Sequence, residues 1–122
     1  MQLTPPLLLV IDDDDLIAEM VRYTLTPLSS TLRLQFSPDI HHDPGDLFPS
    51  LILSDLRLKF TNGEATLIRL RDVFPTQAII PMSGVEPLDM GTWQQKYRLA
   101  PFLLKDHLLT GLLPLVETYL FK

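Results

Sequence analysis

The sequence contains no cysteine among its 122 residues. This absence excludes disulfide bonds, thiol catalysis and cysteine-ligated zinc or iron–sulfur sites, and it favours a reducing, cytoplasmic location. Long hydrophobic runs are also missing. The longest is the run from Leu7 to Ile11, whereas a membrane-spanning helix needs about 20 apolar residues. Because that run lacks a basic flank and ends in aspartates, we expect no signal peptide.

Basic residues are few. Ten Lys and Arg stand against fifteen Asp and Glu, which gives a formal net charge of −5. An acidic chain without a Lys/Arg run is a poor candidate for binding nucleic acid or an anionic membrane directly. Hydrophobic residues make up 46% and charged residues 20%, which is ordinary globular composition. The eleven prolines are spread along the chain, so we expect residues 1–122 to form a single domain.

Short apolar runs alternate with amphipathic segments. Five runs are typical of strands, at residues 7–11, 32–36, 51–53, 78–80 and 102–104. Helices are predicted from Asp14 or Asp15 to before Pro27, over residues 65–73, and from about 107 to Leu120. Residues 37–49 predict at most a short or broken helix, and Pro87 and Gly91 interrupt the helix expected between 85 and 99. This alternation predicts a doubly wound α/β fold with a parallel sheet.

Polar residues follow four of the five predicted strands. Asp12 and Asp13 follow the first strand, Asp55 the third, Ser83 the fourth and Lys105 the fifth. The carboxyl ends of parallel strands meet at one edge of the sheet, where ligands bind in such folds. Clustered carboxylates repel each other unless a cation binds, and an oxygen-only donor set suits Mg²⁺ or Mn²⁺. A nearby Lys and Ser suit a phosphoryl group, and a carboxylate can accept one.

These segments carry a resemblance to a known family. They are residues 7–14, residues 51–58 with Asn62-Gly63, residues 79–84 and residues 102–105. In this order and spacing the chain resembles the receiver domain of two-component response regulators across nearly all its length. The resemblance implies a flavodoxin-like fold of five strands. It also implies the single-domain type, similar to the chemotaxis regulator, without an output domain.

The resemblance also implies a role for each site residue. Asp55 would be the phosphoacceptor, with Ser83 and Lys105 contacting the phosphoryl group. Asp12, Asp13, Asp55 and the backbone carbonyl of Arg57 would hold Mg²⁺, or Mn²⁺ in its place. Ser83 and Phe102 would form the conformational switch, and Arg57 and Val85 would tune dephosphorylation.

The partners expected from the resemblance are proteins. The phosphoryl donor would be a phosphohistidine on a sensor histidine kinase or a phosphotransfer protein, and the output would be contact with a downstream protein target. Such a domain is a phosphoacceptor rather than an enzyme, beyond its self-catalysed phosphotransfer and autodephosphorylation.

Departures from the family pattern leave two alternatives. Asp106 follows Lys105 where a proline is usual, and the second and fourth helical segments look degraded. A phosphorylation-independent pseudo-receiver, acting as an adaptor or dimerisation module, is therefore the second hypothesis. A small phosphatase of the haloacid-dehalogenase type would use Asp12 and Asp14, but the chain lacks the later acidic pair that its metal needs.

The final helix carries apolar residues around most of its circumference. They are Leu108, Leu109, Leu112, Leu113, Leu115, Val116, Tyr119, Leu120 and Phe121. A surface helix buries one stripe, so a second apolar face favours a homodimer or a partner, with local packing as the alternative. His41-His42-Asp43 lies in a proline- and glycine-containing loop without a fourth ligand, so we expect no metal site there.

Overall fold

The computed structural model describes residues 4–40, 48–58 and 62–121. Within these ranges, an α-helix follows four of the five strands along the chain. The strands are β1 (Leu7–Ile11), β2 (Arg33–Ser37), β3 (Leu51–Asp55), β4 (Ala78–Ser83) and β5 (Leu103–Leu104). The α-helices are α1 (Asp15–Thr24), α2 (Gly63–Val73), α3 (Met90–Lys96) and α4 (Leu108–Leu120). Short 3₁₀ turns cover Thr26–Leu28 and Lys105–His107.

The five strands form one parallel sheet in the order β2-β1-β3-β4-β5. This order is that of the flavodoxin-like doubly wound folds. In these folds β2 is added on one side of β1, and the later strands are added on the other side. The predicted fold class is therefore confirmed. The edge position expected for the alternating second strand is confirmed as well, because β2 pairs with β1 and its side chains alternate in exposure.

Helices cover both faces of the sheet. On one face, α1 and α4 pack through Val21, Leu112 and Val116 against strand residues that include Leu8 and Val10. On the other face, α2 and α3 pack against the alternate strand residues, which include Leu9, Ile11, Ile52 and Ile79. Because both faces are buried, the central strands are apolar throughout rather than alternating, as the sequence predicts.

Local signals explain where the helices begin and end. The Asp14 side chain accepts from the Leu16 N–H at 2.9 Å and caps α1, and Asn62 caps α2 by accepting from the Ala65 N–H. Pro27 falls in the 3₁₀ turn after α1. A proline inside a helix ordinarily breaks or kinks it, but α4 continues through Pro114. Burial of Leu112 and Val116 offsets the missing backbone hydrogen bond.

Other boundaries differ in detail. Strand β5 contains two residues and begins after Phe102, which the sequence places inside the strand. Helix α3 contains seven residues and begins at Met90, after the interruption predicted at Pro87, whereas Gly91 lies inside the helix rather than interrupting it. The broken helix predicted over 37–49, and the His41-His42-Asp43 segment, fall largely or wholly on residues 41–47, outside the described residues. No helix in the described ranges is long and apolar enough to cross a membrane.

Candidate functional site

The site residues lie at the carboxyl ends of four strands. Asp12 and Asp13 directly follow β1, while Asp55 and Ser83 are the last residues of β3 and β4. Lys105 directly follows β5. Asp55 pairs with Met82 in the sheet, and Ser83 pairs with Leu104. The parallel register therefore brings these five residues to one edge of the sheet, as their positions in the sequence predict.

Lys105 bridges two buried carboxylates. Its Nζ lies 3.1 Å from Asp12 Oδ2 and 3.2 Å from Asp55 Oδ2. The Asp12 and Asp55 side chains are 2% and 7% exposed, whereas the Lys105 side chain is 23% exposed. Charges this close and this poorly solvated interact strongly, and each depends on the others for compensation.

Burial shifts the protonation equilibrium of Asp12. Desolvation raises the pKa of its carboxyl above the usual value, although the backbone N–H of Asp14 and the charge of Lys105 act against that rise. The Asp14 N–H donates to Asp12 Oδ1 at 2.9 Å. Burial acts to lower the pKa of Lys105, but Asp12 and Asp55 outweigh it, and the pKa is raised. The pair therefore holds Lys105 firmly in its charged form.

The arrangement fits a divalent cation. One carboxylate oxygen from each of Asp12, Asp13 and Asp55 lies within 4.8 Å of the others. Asp12 Oδ2 is buried, and no hydrogen bond of good geometry reaches it from the residues that the structure describes, so it can still coordinate a cation. Three carboxylates and no nitrogen or sulfur donor form the set that Mg²⁺ or Mn²⁺ prefers. The contribution of the Arg57 carbonyl stays a prediction.

The segment after Asp55 is fixed by a side chain that the sequence analysis missed. Asp55 Oδ1 accepts from the Arg57 N–H at 3.1 Å, and the Leu56 carbonyl accepts from Thr66 Oγ1 at 2.9 Å. Thr66 is fully buried on α2. Its only signal in the sequence is a hydroxyl among the apolar residues of that helix, which is too common a feature to identify a role.

The remaining predicted site residues differ in exposure. Ser83 is buried, and Phe102 is half-buried and packs against the core on the α2 and α3 side of the sheet. Arg57 and Val85 are both exposed to solvent. Their roles in phosphoryl contact, switching and dephosphorylation stay predictions. Asp14, which the phosphatase alternative would use, caps α1.

No protein-family model matches the sequence, and no curated protein matches it either. Solved structures do match it in fold. The signal receiver domain of an HD domain-containing protein from Pseudomonas fluorescens is 21% identical, with a TM-score of 0.80 over 96% of this chain and 95% of that one.

Two further structures agree. A CheY-like response regulator receiver domain protein from Methanospirillum hungatei is 18% identical, with a TM-score of 0.77 over 96% of this chain and 94% of that one. The Mn²⁺-bound form of response regulator Rcp1 is 16% identical, with a TM-score of 0.78 over 97% and 96% of the two chains. The match extends over almost the full length of each domain, and the chain has the fold of the response regulator receiver domains.

Proposed function

We propose that this protein acts as a receiver that accepts a phosphoryl group on Asp55 from a phosphohistidine donor and signals through protein contacts. The observation that carries the proposal is the buried Asp55 carboxylate beside Lys105 and the two acidic residues that follow β1. The donor would be a sensor histidine kinase or a phosphotransfer protein, and the recipient a downstream protein target. We expect these encounters in the cytoplasm.

Phosphoryl transfer to Asp55 depends mainly on neutralising the charge of the phosphoryl group and on positioning the reacting atoms. A carboxylate oxygen of Asp55 attacks the phosphorus, the P–N bond of the phosphohistidine breaks, and its electron pair stays with the imidazole, which takes up a proton from water and leaves neutral. Asp12, Asp13 and Asp55, with the Arg57 carbonyl, would hold Mg²⁺, which neutralises charge on the phosphoryl oxygens. Lys105 Nζ lies 3.2 Å from Asp55 Oδ2 and would pair with another phosphoryl oxygen. Ser83 would donate to a third.

The signal would pass through Ser83 and Phe102. Ser83 ends β4 and precedes the exposed segment that leads to α3. A hydroxyl that moves toward a new phosphoryl group would change the space available beside β5, which the half-buried Phe102 directly precedes. The protein would turn over its own aspartyl-phosphate but would not act as a multiple-turnover enzyme.

The test is a mass measurement. The protein is incubated with Mg²⁺ and acetyl phosphate beside an Asp55→Asn control, and the intact mass of each is recorded. We expect one added phosphoryl group in the wild-type protein alone. No group should be added when EDTA has removed the metal beforehand. No gain from acetyl phosphate or from a phosphorylated histidine kinase, with the fold intact, would favour the pseudo-receiver. Two observations favour that alternative: Asp106 follows Lys105, and α3 has only seven residues.

A homodimer through α4 forms a separate part of the proposal. Leu108, Leu112 and Val116 are buried in the domain, and Leu113, Leu115 and Leu120 are partly buried against the same core. Leu109, Tyr119 and Phe121 are exposed at 54%, 42% and 41%. Local packing thus accounts for most of the apolar circumference, and three side chains are left for a second copy. Sedimentation at high concentration decides this, since a monomer at all concentrations would contradict the dimer.

A further inference from the structure

The peptide unit between Leu56 and Arg57 is held at both ends. Its carbonyl, on Leu56, accepts from Thr66 Oγ1 at 2.9 Å, and its N–H, on Arg57, donates to Asp55 Oδ1 at 3.1 Å. Because the peptide unit is planar and rigid, fixing the carbonyl also fixes the direction of the N–H. A continuous path of hydrogen bonds therefore runs from a helix α2 side chain to the Asp55 carboxylate.

Neighbouring contacts leave this peptide little freedom to turn. The Leu56 N–H donates to the Met82 carbonyl at 2.9 Å, which ties the segment to the end of β4. The Leu56 and Leu58 side chains are 1% and 4% exposed and belong to the core beneath α2. The remaining rotation, about the bonds that flank the peptide, is the one that the Thr66 hydroxyl opposes.

Thr66 places a hydroxyl at a buried position where packing alone would favour an apolar side chain. It is fully buried on an amphipathic helix, next to Leu67 and in a core that includes Leu70. Burying a hydroxyl costs free energy unless it is hydrogen-bonded, so an apolar residue of similar shape would serve packing alone. The hydroxyl bonds to a carbonyl ten residues earlier in the chain, immediately after Asp55.

We propose that Thr66 is a positioning residue that orients the Asp55 carboxylate through the Leu56–Arg57 peptide. The inference rests on the proposed function only in supposing that the oriented carboxylate binds a metal and accepts a phosphoryl group. Serial hydrogen bonds polarise one another, so the hydroxyl also strengthens the N–H donated to Asp55 Oδ1. With Oδ1 so engaged and Oδ2 paired with Lys105, both carboxylate oxygens have a fixed direction before any ligand arrives.

The test compares variants that differ in one hydroxyl. Thr66→Val keeps the side-chain shape and removes the donor, while Thr66→Ser keeps the donor. Thr24→Val is the matched control, because Thr24 is also buried on a helix but its Oγ1 has no hydrogen-bond partner within the described ranges. Two quantities are measured: amide hydrogen exchange at Arg57 in the metal-free protein, and Mn²⁺ affinity from the free-ion signal in electron paramagnetic resonance.

We expect Thr66→Val to speed Arg57 exchange and to weaken Mn²⁺ binding by roughly fivefold to tenfold, the effect of losing about one net hydrogen bond. Thr66→Ser and Thr24→Val should both stay within about twofold of the wild-type affinity, a change worth under about 0.4 kcal/mol. A residue that serves only packing would lower the melting temperature in Thr66→Val without changing either quantity in the folded protein.

Several outcomes would overturn the inference. One is a folded Thr66→Val protein with wild-type exchange and affinity, and another is a Thr66→Ser protein as impaired as Thr66→Val. If Thr66→Val does not fold, Thr66→Cys takes its place, since a thiol is a weaker donor of similar size and should give an intermediate result. If the wild-type protein binds no Mn²⁺, the proposed function fails, and Arg57 exchange still decides whether Thr66 holds the peptide.

Discussion

Replacing Lys105 by Met tests the electrostatics of the site most directly. The substitution keeps most of the aliphatic stem and removes the ammonium that lies 3.1 Å from Asp12 Oδ2 and 3.2 Å from Asp55 Oδ2. Both carboxylates are almost fully buried, so water cannot replace the lost cation well. We expect a metal-free protein that is markedly less stable than the wild type at pH 7.

The size of the effect follows from the distances. At an effective dielectric constant of about 20, a unit charge pair near 3 Å interacts by about 5 kcal/mol. Most of each interaction energy is offset by the cost of desolvating the charges. Removing one partner of a buried ion pair typically lowers the free energy of unfolding by about 3–5 kcal/mol. Lys105 retains partial exposure at 23%, so the lower end applies, about 3 kcal/mol. For a domain of this size that loss lowers the melting temperature by roughly 10 °C.

The pH range over which stability changes should shift with the substitution. In the wild type the pKa of Lys105 is raised, so its stabilising contribution is present below its usual pKa of 10.5 and is lost as pH rises through the raised value. The variant lacks that alkaline loss. The Asp12 pKa, already raised by burial, rises further without Lys105. The folded variant then binds protons more tightly than the unfolded chain, so its stability increases as pH falls through the raised pKa of Asp12 toward the usual value of 3.8.

Urea unfolding at a series of pH values, in EDTA and in Mg²⁺, measures the loss of stability and its dependence on pH and on the metal. The matched control is Lys96→Met, which removes an ammonium 3.1 Å from Glu64 Oε2 in a solvent-exposed pair, where little change is expected. Mg²⁺ should restore much of the stability of the Lys105 variant, because the ion supplies the missing positive charge. Equal losses in the two lysine variants, or a Lys105 variant indifferent to pH and Mg²⁺, would refute the reasoning.

Two further predictions concern the scaffold. Arg71 donates to the carbonyls of Tyr97, Phe74, Gln77 and Arg98, so Arg71→Met should lower the free energy of unfolding by about 2–3 kcal/mol, measured by urea titration. Arg69→Met, which removes one such carbonyl bond, should cost less, and a larger loss there would contradict the prediction. Pro114→Ala should raise stability by about 1–3 kcal/mol because it restores a helix N–H in the middle of α4. An unchanged melting temperature would show that α4 already accommodates the proline without cost.

The local pattern of the sequence determined the strands, the helix starts and the set of residues at the strand ends. Continuous apolar runs such as residues 7–11 indicate strands buried on both faces, and Asp14 and Asn62 stand where a helix needs a cap. The parallel topology then follows from the alternation of short and long segments. These are properties of neighbours in the chain, so they can be read without coordinates.

Tertiary structure alone decided the burial, the ion pairs and the hydrogen bonds of each of those residues. The sequence shows four consecutive aspartates at 12–15, but only the packing buries Asp12 beside Lys105 while Asp14 caps a helix in solvent. The hydrogen bond from Thr66 to the Leu56 carbonyl depends on how α2 packs beside β3. The length of β5 depends on its pairing with β4. Burial, charge pairing and hydrogen bonds between distant segments are set by three-dimensional distance, which local periodicity does not encode.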